Sequence, residues 1–143
     1  MNKRTKIAVG IFFLAWLGLL AFFWILDRVE DALAFALLSV VVEPTAIAVM
    51  SFSVGKNEST KYKVIAIVLS GLMLMLLPSL TFDLLNTLTF HHLNAPSIVL
   101  LGWGMLISLV FVLIGTLVTY IRNRKKNNAE ENAVQTTEQT TEQ

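Results

Sequence analysis

The chain has 143 residues, 55% of them apolar and only 15% charged, with a net charge of +1 and a mean hydropathy of +0.69. That composition argues against a water-soluble domain, and the absence of cysteine excludes disulfides, thiolate metal sites and a cysteine nucleophile. The basic residues cluster at the ends of apolar runs rather than among exposed aromatics, so no nucleic-acid partner is expected.

The apolar residues form near-continuous runs of about twenty, the length a helix needs to cross about 30 Å of hydrocarbon. The first run, 7–26, follows a basic segment, 1–6, containing Lys3, Arg4 and Lys6. Its length exceeds the apolar stretch of a signal peptide, and Ala32-Leu33-Ala34, the nearest match to a cleavage site, lies inside the next run.

The second run, 32–54, is interrupted by Glu43 and Pro44. Its Leu, Ile, Val and Phe contribute about −3 to −6 kcal/mol to insertion, against about +3 kcal/mol for a central acidic residue. Insertion alone is marginal, and the short connection 27–31 predicts entry as a hairpin with the first span. A third run covers 62–82, with Pro78 predicted to kink its outer end, and a fourth covers 96–121. From Arg122 to Gln143 the chain turns basic and then polar, ending in Thr-Thr-Glu-Gln twice over, and a disordered tail is predicted.

Lysine and arginine set the orientation. Ten of the eleven, Lys3, Arg4, Lys6, Lys56, Lys61, Lys63, Arg122, Arg124, Lys125 and Lys126, fall on one side of a four-span arrangement, and only Arg28 falls on the other. A three-span arrangement without 32–54 breaks this pattern. The expected fold class is therefore an all-α membrane protein, a four-transmembrane-helix bundle with both termini cytoplasmic, in a bacterial plasma membrane. Glu30 and Asp31 start the second span and the Arg122 to Lys126 cluster ends the fourth, each matched to the helix dipole. Tyr62 and Tyr120 suit the inner interface and Trp24 the outer one. Asn57-Glu58-Ser59 is a glycosylation sequon that faces the cytoplasm in this arrangement and stays unused.

Glu43 is the only ionisable residue deep in a span, which makes it the first functional candidate. Ala32, Ala36, Ser39, Glu43 and Ala46 fall within about 40° of one helical direction, a strip of small residues that allows a neighbouring helix to approach. Pro44 cannot donate to the carbonyl of Val40, and a broken helix beside a buried carboxylate can offer oxygens to an ion at mid-membrane. Glu43, Pro44 and Ser39 thus form a candidate proton or cation site. In the competing reading Glu43 stays protonated and makes an assembly contact.

His91 and His92, in the outer connection 83–95, form a candidate pH-sensitive pair. Neighbouring residues do not share a helix face and no third ligand is evident, so no metal is assigned. Asp83 is a candidate cap for a short interfacial helix carrying Leu84, Leu85 and Leu88. On the fourth span Gly104, Ser108, Gly115 and Thr119 share one face as two small-xxx-small pairs, a packing surface. Trp16 and Trp103 lie deeper than an aromatic belt and are read as packing residues.

No nucleophile with its base, nucleotide loop or metal cluster is legible, so neither an enzyme nor a cofactor is expected. Two classes remain. One is a non-enzymatic accessory, regulatory or protective membrane protein acting through helix contacts with a partner or with itself. The other is a small oligomeric transporter or channel centred on Glu43.

Overall fold

The computed structural model describes residues 1–25, 32–91 and 95–141, with side chains for all of these except 32–33 and 130–141. It is all-helical: α1 (Lys3–Ile25), α2 (Ala32–Asn57), α3 (Thr60–Pro78), a π-helical turn (Ser79–Asp83), α4 (Leu84–Phe90) and α5 (Ile98–Thr141). Four stretches are long and apolar enough to cross a membrane: Lys3–Ile25, Ala34–Asn57, Thr60–Phe90 and Ile98–Ala129. The second of these is the run containing Glu43 and Pro44, whose insertion looks marginal on hydropathy alone.

The surface is inverted relative to that of a soluble bundle. On α1 the buried residues Thr5, Ala8, Phe12, Trp16, Leu19 and Phe23 follow a three- and four-residue spacing that lays one stripe against the other helices. The remaining faces are apolar too: Leu14 is 73% exposed and Val40 on α2 is 70% exposed. Large hydrophobes turned outward on every long helix need an apolar solvent.

The helices pack around α2 and α5, which share the most extensive contact; α3 lies along α5, and α1 along α2. Among the described residues α1 and α5 do not approach one another. One core layer joins Phe12 of α1, Ile47, Met50 and Val54 of α2, and Ala66 of α3. A second layer gathers Trp16, Leu19 and Phe23 of α1 around Phe35 of α2 and Leu77 of α3. Within it Phe23, Phe35 and Phe82 form an edge-to-face triangle with centroid separations of 4.9, 5.2 and 5.6 Å.

The helix containing α3 does not stop at Pro78 but shifts register. Proline lacks the N–H that an α-helix needs at that position, and the ladder resumes as a π turn. The Leu84 N–H, which an α-helix would direct to Leu80, is shared instead between the Ser79 and Thr81 carbonyls. The Leu80 carbonyl accepts a bond from Trp24 Nε1 at 3.2 Å, and the Met73 carbonyl accepts one from Trp16 Nε1 at 3.1 Å. Ser79 Oγ donates to the Met75 carbonyl and Thr81 Oγ1 to the Leu77 carbonyl. Side chains thus reach the Met75, Leu77 and Leu80 carbonyls along this distorted stretch, but none of these bonds reaches the Leu74 carbonyl, whose helical donor Pro78 removes.

Two expectations need correction. Asp83 lies inside this continuous helix with αR dihedrals and makes no side-chain cap, so α4 extends α3 rather than starting as a separately capped helix. The tail expected to be disordered continues α5 as helix to Thr141. After Gly115 the chain has neither glycine nor proline to stop the helix, and each further residue extends a helix that is already nucleated. The hairpin connection 27–31, with Arg28, Glu30 and Asp31, lies outside the described residues.

Candidate functional site

Glu43 sits on the buried side of α2 and is only 4% exposed, and its Oε1 has no hydrogen-bond partner. A buried polar oxygen without a partner costs about 1–3 kcal/mol. Of the strip of small residues, Ala46 packs against the first core layer, and Ser39 and Glu43 line a cavity. That cavity, half-open and about 210 Å³ in volume, lies between α2, the Pro78 region and the start of α5.

The position of that cavity follows from where α2 and α5 are pinned together. A Cβ on Gly55 would collide with the backbone of Val112, and one on Gly115 would lie 2.5 Å from the Phe52 carbonyl. Ser51 and Ser108 share a hydrogen bond of 2.7 Å, and Thr119 Oγ1 donates to the Lys56 carbonyl at 2.8 Å. These contacts span 51–56 on α2. Glu43 lies about 12 Å further along the helix, where residues of α3, the π turn and the start of α5 line the cavity. On α3 a second close approach sets Gly71 against Leu101 and Met105, and a Cβ on Gly104 would lie 2.7 Å from the Ser70 carbonyl.

Gly104, Ser108, Gly115 and Thr119 therefore face α2 and α3 inside the bundle. Trp16 is buried in the second core layer, whereas Trp103 is 55% exposed on the outer side of α5 and packs against no core layer. Trp24 is half-buried with its indole N–H committed to Leu80.

The cavity wall contains both proline breaks. Val40 and Pro44 come from α2, and Leu74 and Pro78 from α3. Pro44 deprives the Val40 carbonyl of its helical donor, and Pro78 does the same to the Leu74 carbonyl. Two carbonyls released from the α-helical ladder thus belong to residues that border the pocket of the buried carboxyl. Ser39 also lines it and donates its hydroxyl proton to the Ala36 carbonyl at 2.9 Å, which leaves the oxygen able to accept. Phe35, Leu77, Phe82 and Leu100 make the rest of the wall apolar.

Ser39, Glu43 and Pro44 are singled out for the site from sequence; Pro78 is read there only as a kink, and Leu74, Phe35 and Phe82 are not singled out. The shared signal was a proline in each of two spans, but which turns of two helices face each other cannot be read from one-dimensional spacing.

The histidines do not join this site. His91 ends α4 in the left-handed conformation, φ 55°, with its backbone N–H on the Thr87 carbonyl, and its side chain is exposed. His92 lies outside the described residues. Among the described residues no group of three metal-ligating side chains converges.

A second carboxylate has a structural task. Glu58, in the short α2–α3 connection, accepts the backbone N–H of Asn2 on Oε1 at 2.6 Å, just before α1, and the α-amino group of Met1 lies 3.9 Å from Oε2. The Asn2 N–H holds the Glu58 carboxyl below the usual carboxylate range, against the opposing effect of partial burial. A carboxylate at the positive end of α1 also suits the helix dipole.

Compared with known protein families, with curated proteins and with solved structures, the chain matches no family model, no curated protein and no solved structure.

Proposed function

We propose that the protein is a four-pass cell-membrane protein, with both termini cytoplasmic, that binds and releases a proton or a cation at Glu43 as a small oligomeric transporter. The observation that carries this reading is the unpartnered Oε1 of a nearly buried carboxyl beside a cavity bordered by two proline-broken helical turns. A purely structural carboxyl gains from a hydrogen-bond partner in a neighbouring helix, and Oε1 has none. An exchangeable site needs an unpartnered ligand oxygen and room near it; Glu43 Oε1 has no partner, and the residue is part of the cavity wall. Oligomerisation follows from size: the cavity opens on one side of the bundle, so a route across the membrane needs a second copy to complete it.

The alternative, an accessory protein acting through helix contacts with a membrane partner, draws less support. Its most specific sequence feature, the small-residue face of α5, is already occupied by α2 and α3. Neither reading involves an enzymatic step or a cofactor.

Reconstituted vesicles test the proposal. An imposed pH gradient is expected to collapse faster with the wild type than with Glu43→Gln, which keeps the shape and loses the exchangeable proton. A difference of at least tenfold is expected, the loss typical of removing a group that must change protonation for turnover. Equal rates in the two proteins remove Glu43 as the exchanging group.

A further inference from the structure

The wall of the Glu43 cavity narrows the class of ion it suits. An inorganic cation sheds its hydration shell only where several oxygens replace it, and calcium takes six to eight. The cavity offers the Glu43 carboxyl, the Ser39 hydroxyl oxygen and the carbonyls of Val40 and Leu74 at most. The rest of its surface is hydrocarbon and aromatic, with Phe35 and Phe82 5.6 Å apart. That is a poor shell for a small dehydrated metal ion. It suits an ammonium group attached to an apolar body, because such a cation is weakly hydrated, needs one counter-charge and gains from aromatic contact.

The mouth of the cavity points to the same chemistry. Of the lining residues, Val40 is 70% exposed on the apolar surface of the bundle, and Leu100 is partly exposed. A ligand entering there comes from the hydrocarbon side rather than through a polar vestibule. The volume of about 210 Å³ is below the range of about 300–1,000 Å³ for drug-sized ligands, which limits the occupant to about one ring.

We propose that the cavity between α2, the Pro78 turn and α5 binds a small lipophilic organic cation, an aromatic or alkyl ammonium, with Glu43 as its counter-ion and Phe35 and Phe82 against its apolar body. The proposal rests on the reading of Glu43 as an exchanging site and specifies its ligand. A permanently charged ammonium that meets a protonated Glu43 displaces the proton to water and pairs with the carboxylate, so charge balances without a co-reactant.

Titration calorimetry of the full chain in mild detergent tests it with defined probes. Benzyltrimethylammonium is expected to bind, and neopentylbenzene, the same shape without charge, at least tenfold more weakly. Tetramethylammonium, the charge without the ring, is also expected to bind at least tenfold more weakly. Glu43→Gln is expected to lower benzyltrimethylammonium affinity at least tenfold, while Glu43→Asp retains measurable binding. Phe82→Leu, which keeps an apolar wall, is expected to lower it severalfold with unchanged thermal unfolding. Equal binding of the neutral probe, or unchanged binding in Glu43→Gln, overturns the proposal. Glu43-dependent proton flux without benzyltrimethylammonium binding overturns the ligand class and leaves the exchanging site standing; loss of both removes the two readings together.

Discussion

The two carboxylates Glu43 and Glu58 show how position decides what the same side chain does. Glu58 is held by the backbone N–H of Asn2 and ties the start of α1 to the α2–α3 connection. Its folded-state pKa lies below the unfolded value, so its contribution to stability is present at neutral pH. That contribution is lost as pH falls through the ordinary carboxylate range, near about 4 to 5, and below. The thermal midpoint in detergent is therefore expected to fall on acidification more steeply for the wild type than for Glu58→Gln, whose amide does not titrate. Identical slopes from pH 7 to pH 3 would show that Glu58 carries no such linkage. Glu43 has no N–H or hydroxyl on Oε1, and the proposed exchange rests on that deficit.

At the scale of elements, the proline at 78 and the tryptophan at 24 act as a pair across two helices. The π turn after Pro78 releases the Leu80 carbonyl, and the Trp24 indole N–H satisfies it. Trp24→Phe keeps a ring beside Phe23 and removes the donor; a loss of about 0.5–1.5 kcal/mol is expected in reversible unfolding. A larger effect follows at the α3–α5 contact, where a Cβ at Gly104 would lie 2.7 Å from the Ser70 carbonyl and 2.8 Å from Gly71 Cα. Backbone cannot move aside as a side-chain end can, so Gly104→Ala is expected to destabilise by about 1–3 kcal/mol. Gly102, two residues away with nothing within 4 Å, is the control. Gly102→Ala is expected to be neutral or to stabilise by up to about 1 kcal/mol through helix propensity, and equal losses at the two positions would refute the close-packing argument.

These elements also mark what was legible in the sequence. Span lengths, the small-residue face of α5 and the isolation of Glu43 follow from hydropathy and spacing, because each is a property of one helix. The surfaces that face Gly104 and Gly115, namely Ser70, Gly71, Phe52 and Gly55, were not legible; a packing face is readable on its own helix, but its partner depends on how helices pair. The same holds for the cavity, where Pro44 was evident as a break beside Glu43 but the convergence with Pro78 depends on the α2–α3 crossing. The helical tail was missed for a different reason: composition predicts whether a segment folds alone, whereas residues 122–141 extend a helix that is already nucleated.

For the whole molecule, the proposed site depends on α2 crossing the membrane, since only that crossing puts Glu43 at mid-depth with its cavity facing hydrocarbon. The chain contains no cysteine, so single cysteines introduced at exposed positions report sidedness directly. Ser59, between α2 and α3, Asn127, on the extension of α5, and Ala95, before α5, are all exposed. With Ser59→Cys, Asn127→Cys and Ala95→Cys variants in sealed, oriented vesicles, a membrane-impermeant thiol reagent is expected to label Ser59→Cys and Asn127→Cys from one face and Ala95→Cys from the opposite face. Labelling of Ser59→Cys and Ala95→Cys from the same face would contradict the four-crossing arrangement, and with it the placement of Glu43 inside the membrane.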